Sequence, residues 1–276
     1  MSIVAISQTL GSLGDEIARE LAQTLACEFA DREIILRAAE RFGEGVGELQ
    51  HVTEEKSTLW ERFTETRERY LTYVEAIIWE LAARDNAVLV GRGASFLLAA
   101  VPRALRVRIT SPERLRAKRV AARLAIDPDA AGDLVRDSDR ERAARVRFLY
   151  HVDWDDPRLY DVVLNTERMT VSEGTRILQH ALQSERFRAT SDSQREIQDL
   201  SVAAAAKAAL RADPRTRQLW LAPPVCRNGR LSIGGMVARE QERRAAEEIV
   251  GKIPGVTAVL NEIVVATTGA LGDSSR

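Results

Sequence analysis

Short apolar runs alternate with helical stripes along the first 183 residues, and beyond residue 195 the order changes. Ile3–Ile6 is wholly apolar and predicts a buried strand. From Gly14 to Cys27, Ile17, Ala18, Leu21, Ala22 and Leu25 recur at helical spacing, and a second helix is expected after Asp31, with that aspartate as its cap. A long amphipathic helix is expected over about 57–84, its stripe formed by Trp60, Phe63, Tyr70, Tyr73, Val74, Ile77, Ile78 and Leu81. Ala87–Gly91 and Ala104–Thr110 read as strands, and an arginine-dense helix follows over about 112–125. An Asp/Arg-rich segment then runs to Tyr150, Tyr160–Thr166 is a further strand, and Val171–Phe187 a closing helix. Strands separated by helices predict an α/β fold, a parallel sheet covered by helices on both faces.

The polar stretch at 184–195 lacks apolar period and is expected to be a linker. After it the pattern predicts a second, smaller α/β domain over 196–267. Its expected elements are a helix over 197–212, strands over about 218–226, 230–235 and 256–265, and a helix over 239–253. Asn228-Gly229 between extended runs signals a hairpin. The tail at 268–276 is expected to be disordered.

Composition narrows the function classes. The chain has 276 residues, 45% hydrophobic and 29% charged, with a net charge of -1. That balance gives no reason to expect nucleic acid or an anionic surface as the partner of the whole chain. Two cysteines far apart, Cys27 and Cys226, predict neither a disulfide framework nor a metal cluster. No apolar run is long enough for a transmembrane segment or a signal core, so a cytoplasmic protein is expected.

The chemistry centres on "ISQTLGSLGDEIA", residues 6–18, a strand, a glycine turn and a helix start. Such a turn offers backbone N–H groups and a positive helix end to a phosphate, and Ser7, Gly11, Ser12 and Gly14 are its candidate phosphate ligands. It is expected to face a cleft at the C-terminal ends of the parallel strands. Arg116, Arg119 and Arg123 recur at helical spacing, which fits a solvated face as well as a phosphate site. Asp153, Asp155 and Asp156 precede a proline and read as a turn rather than metal ligands.

Read in order, the glycine turn, "DREIILR", "VLVGRGA" and "DRERAARVRFLYHVDWDDPRLYDVVLNT" resemble the cytidylate kinase-like family over about 2–182. The resemblance implies a P-loop kinase-like parallel sheet with a nucleotide-binding insertion and an arginine-bearing lid. It implies phosphoryl transfer from ATP, with Mg²⁺, to CMP, dCMP or a related monophosphate. On it, Arg92, Arg37 and Asp31 are assigned to acceptor binding, and Asp139, Arg140 and Arg142 to catalysis in the lid. The chain departs from the pattern in several places. Gln8 stands where an arginine is usual and Leu13 replaces a glycine. Gly14 falls at the P-loop lysine, Asp15 at the Mg²⁺-holding Ser/Thr, and Gly93 at a substrate-reading aspartate. Loss of one well-placed charge donor typically costs about 10²–10³ in rate. Three readings therefore stand side by side: a nucleoside-monophosphate kinase, a kinase for a different small phosphorylated acceptor, and a non-catalytic nucleotide-binding regulator.

Residues 197–265 resemble a BON domain. The likeness rests on "AAAAKAALRADP", "GRLSIGGMV" with Gly234 or Gly235 in a turn, "ERRAAEEIVGKIPGV" and "VLNEIVV". It implies binding of a small ligand or phospholipid rather than catalysis.

Overall fold

The computed structural model describes residues 2–47 and 64–266. Two compact units make up the chain, Met1–Ile197 and Gln198–Arg276. Trp60, Phe63, His51 and the tail at 268–276 lie outside the described residues.

The first unit is built on five parallel strands: β1 (Ile3–Gln8), β2 (Glu28–Ala30), β3 (Ala87–Val90), β4 (Ala104–Thr110) and β5 (Val162–Asn165), in the spatial order β2-β3-β1-β4-β5. Central β1 pairs with β3 and β4, and Ile3–Ile6 are wholly buried. A continuous apolar run is what a strand covered on both faces requires. Helices α1 (Gly14–Leu25), α2 (Glu33–Phe42), α3 (Thr64–Ala83), α4 (Ala94–Leu97), α5 (Glu113–Leu124), α6 (Pro128–Tyr150) and α7 (Val171–Leu182) connect or flank the strands. Ile17, Ala18, Leu21 and Ala22 of α1 pack with Val4, Ile6, Val88, Leu105 and Leu178 in one core.

Several elements differ from expectation. The Asp/Arg-rich segment up to Tyr150 is one 23-residue helix, α6, capped by Asp127 with Pro128 in its first turn. Its apolar period is hidden because its packed face carries charges. Asp31 does not cap α2, whose N-cap is Arg32. The closing helix stops at Leu182, and a short 3₁₀ turn covers Glu185–Phe187.

Helix α8 (Ser191–Ala212) starts inside the expected linker. Thr190 and Ser193 explain it: the Ser193 N–H donates to Thr190 Oγ1 at 3.1 Å, and the Thr190 N–H to Ser193 Oγ at 3.0 Å. The polar residues are a helix start rather than a spacer.

In the second unit, β6 (Val225–Arg227), β7 (Arg230–Val237) and β8 (Ala258–Val265) form a sheet in that order, with α9 (Glu240–Gly251) joining β7 to the parallel β8. The expected strand over 218–226 shrinks to three residues, since Pro223 and Pro224 donate no ladder hydrogen bonds. Asn228 and Gly229 form the expected hairpin with φ of 52° and 75°. Their N–H groups donate to Asp199 at 2.6 and 3.0 Å. Gly234 and Gly235 lie within β7 rather than in a turn.

Arg103 and Asp85 pair with side chains only 2% and 4% exposed. Arg103 also donates to Gln194 Oε1 at 2.7 Å, and Gln194 donates to the Ala83 carbonyl at 2.9 Å. Asp85→Ala strands a buried guanidinium, so we expect a stability loss of about 3–5 kcal/mol in urea unfolding.

Candidate active site

The cleft opens at the C-terminal ends of β1 and β3, as expected for an open α/β sheet. It encloses about 500 Å³. Ser7, Gln8 and Leu10 line it from the first strand and its turn, Gly91 and Arg92 from the third, and Arg142, Arg145 and Tyr150 from α6.

The glycine turn leads directly into α1, with Gly11 and Leu13 at φ of 77° and 62°. Gly11 is obligatory: a Cβ there would sit 2.7 Å from the Arg116 carbonyl oxygen. Leu13 pays the usual cost of a left-handed non-glycine residue, where the family pattern has glycine. Gly14 has no positive φ; its missing side chain makes room for Gln8 instead. A Cβ on Gly14 would lie 2.1 Å from Gln8 Oε1 and 2.7 Å from Gln8 Cβ. Gln8 crosses the helix start and donates to Asp15. Of the candidate phosphate ligands, Ser7 lines the cavity, whereas Gly11, Ser12 and Gly14 do not. Ser12 is buried and its Oγ has no hydrogen-bond partner, while its carbonyl accepts from Thr166 at 2.8 Å.

Behind the turn lies an arginine network rather than a solvated face. Arg116 is 5% exposed and grips Asp139 with two bonds of 3.1 and 2.6 Å. It also donates to the carbonyls of Ser111 at 2.8 Å and Leu10 at 3.3 Å. Arg119 donates to the Gly11 carbonyl at 3.3 Å and to the Thr166 carbonyl at 2.8 Å. Asp139 thus acts as the counter-ion of Arg116, outside the cavity lining.

Five arginines line the cavity: Arg92, Arg142 and Arg145 are half-buried, and Arg32 and Arg123 are exposed. Arg142 donates to the Gln8 carbonyl at 2.8 Å. Desolvation lowers the pKa of Arg142, opposed by the charges of Asp15, Asp139 and Asp31. Asp31 is raised, first by burial and then by Asp15, with Arg92 pulling it down. Asp15 and Asp31 therefore share one negative pocket among the arginines. Like Asp139, two more of the proposed catalytic and acceptor residues lie outside the cavity: Arg140 is 77% exposed and pairs with Asp137, and Arg37 pairs with Glu28.

Sequence reasoning missed Arg145, Tyr70 and Tyr150. Tyr70 is buried; burial raises its phenol, and the facing Arg92 and Arg145 offset part of that rise. The spacing of Arg142, Arg145 and Leu149 along one helix was the available signal.

The segment "VDWDDPRLYD" braces the cleft and lends it Trp154 as part of its wall. Buried Arg108 lies 3.7 Å from the Trp154 ring centroid, pairs with Asp155 at 2.7 Å and donates to Ser7 Oγ at 3.2 Å. Asp156 caps a 3₁₀ turn and holds Arg158, and Asp153 accepts from the Asp155 N–H at 3.2 Å. These carboxylates are engaged as a turn.

Comparison with known proteins identifies the family. The chain belongs to the cytidylate kinase-like family, whose profile matches residues 3–168, and it carries a BON domain, matched over residues 225–267. A cytidylate kinase of Pyrobaculum calidifontis is 26% identical over 178 residues, 64% of this chain and 90% of the relative. One from Methanopyrus kandleri is 28% identical over 189 residues, 65% of this chain and 92% of the relative. A solved structure from Eubacterium ventriosum shares the fold with a TM-score of 0.53 at 20% identity, covering 67% of this chain and 100% of that one.

Gly11→Ala is expected to destabilise the turn by about 2 kcal/mol or more, from left-handed strain and the contact with Arg116. A lowered urea midpoint with unchanged m-value is the readout.

Proposed function

We propose that the protein transfers a phosphoryl group from ATP to a nucleoside monophosphate of the cytidylate type. The observation that carries this reading is the convergence of Arg92, Arg142 and Arg145 on one cavity beside the N-terminus of α1. Phosphoryl transfer asks for positioning and charge neutralisation, which such a cluster supplies. In this reading Arg92 holds the acceptor phosphate, and Arg142 and Arg145 neutralise the transferring group. Because Gln8 covers the start of α1 and Gly11, Ser12 and Gly14 do not line the cavity, the ATP phosphates are met in this reading mainly by the arginines. Asp15 and Asp31 form a donor set suited to Mg²⁺, which is commonly held by one or two carboxylates and substrate phosphates. The ion, when bound, offsets phosphate charge. Positive charge missing from the turn is thus supplied from α6.

A second reading, a kinase for another phosphorylated acceptor, draws on Gly93, where Tyr150 fills the place of a side chain. The BON domain is read as a module for a small ligand or phospholipid. The outward-facing Met236, Leu260 and Val264, each more than half exposed, support it.

The test is ATP consumption by purified protein with Mg²⁺ across a panel of monophosphates. Arg92→Ala should weaken monophosphate binding roughly ten- to hundredfold and leave ATP binding nearly unchanged. Arg142→Ala should lower turnover by about 10²-fold. Tight nucleotide binding without turnover on any acceptor would identify a regulator instead. Co-sedimentation with anionic phospholipid vesicles, lost in Met236→Asp, tests the BON reading.

A further inference from the structure

We propose that Tyr150 is a positioning residue for Arg92. The inference rests on the reading of Arg92 as the acceptor-phosphate ligand. Its first support is backbone geometry. Gly91, Arg92 and Gly93 have φ of 70°, 54° and 77°, three consecutive left-handed residues. Glycine enters this region freely, but an arginine does so at a cost. Such strain persists only where the surroundings over-determine it, and it gathers at functional positions.

Tyr150 supplies that constraint. Its hydroxyl donates to the Arg92 carbonyl at 2.8 Å. Its ring lies over Gly93, where a Cβ would sit 2.0 Å from both Cζ and the hydroxyl oxygen. The ring also packs on Phe96, with centroids 5.3 Å apart. The Ala94 N–H closes the loop on the Gly91 carbonyl at 3.0 Å. Gly93 is therefore the seat of the Tyr150 ring as well as a turn residue. With the peptide after Arg92 fixed in this way, the Arg92 side chain leaves the backbone toward the cavity, where it faces the buried Tyr70 hydroxyl. A phenol is protonated at neutral pH and is a donor there, and desolvation raises that of Tyr150 further above its usual value.

The position of Tyr150 matters for a second reason. It ends α6, the helix that also bears Arg142 and Arg145. The same element that brings positive charge to the cavity holds the loop that brings Arg92.

Tyr150→Phe removes the hydroxyl and keeps the ring, and it is the decisive variant. With cytidine monophosphate and inorganic phosphate as calorimetric probes, Kd should rise about five- to tenfold for both. Kd for Mg-ATP should change by less than about twofold, as expected for a contact outside that site. The urea midpoint should stay close to that of the parent. A crystal structure of the variant should show Arg92 relaxed to negative φ. If Tyr150→Phe binds both probes like the parent and Arg92 stays left-handed, the positioning role is overturned while the phosphoryl-transfer reading stands. If ATP and both probes weaken together with a lowered urea midpoint, Tyr150 is only structural and the proposal fails. A parent that binds neither probe overturns both readings.

Discussion

The guanidinium of Arg116 is the point where α5, α6 and the glycine turn meet. Four hydrogen bonds from it reach the carboxylate of Asp139 and the carbonyls of Ser111 and Leu10. The planar fork of arginine serves several acceptors in fixed directions, which the point charge of a lysine does not. Gly11 abuts the carbonyl of the same residue, so the turn is pressed onto α5 by backbone as well as side chain. The start of α1, and with it one wall of the cleft, takes its place from this contact.

Charge, more than apolar area, organises the cleft itself. Arg142 is desolvated yet surrounded by Asp15, Asp139 and Asp31, and Asp31 in turn feels Arg92 and Asp15. Opposite charges at this density stabilise one another only while each keeps its neighbours. The mouth of the turn is closed by the uncharged side chain of Gln8, and the backbone carbonyl of the same residue is tied to Arg142. A single residue thereby links the end of β1 to α6 and to the first turn of α1.

Much of this architecture was legible in the sequence, for a physical reason. Strands β1 and β3 hold short apolar runs, β4 alternates apolar residues with Arg106 and Arg108, and α1 carries a clean stripe, so burial wrote itself into the pattern. Helix α6 was not legible, because Asp139, Arg142 and Arg145 occupy positions where a packed helix normally shows hydrophobic residues. The Thr190 and Ser193 cap passed for a linker, since capping residues and loop residues are the same types. In the site, Arg92 and Arg142 were found by family resemblance. Tyr70 was read as core stripe, which it also is, being 1% exposed. Tyr150 carried no local signal, as its role depends on a glycine 57 positions earlier in the chain.

The continuity of α6 has a consequence for how this chain tolerates length change. Asp139, Arg142, Arg145 and Tyr150 stand on one unbroken helix, so the helical rise alone sets the separation between the Arg116 contact and the Arg92 contact, about 16 Å. Inserting or deleting one residue between them would turn Tyr150 by about 100° around the axis and shift it by about 1.5 Å. Loops in an α/β fold usually absorb such changes, but this helix acts as a ruler with marks at both ends. Between residues 139 and 150, exchange of an outward residue such as the exposed Arg147 leaves these marks in place, whereas a change of length displaces one of them.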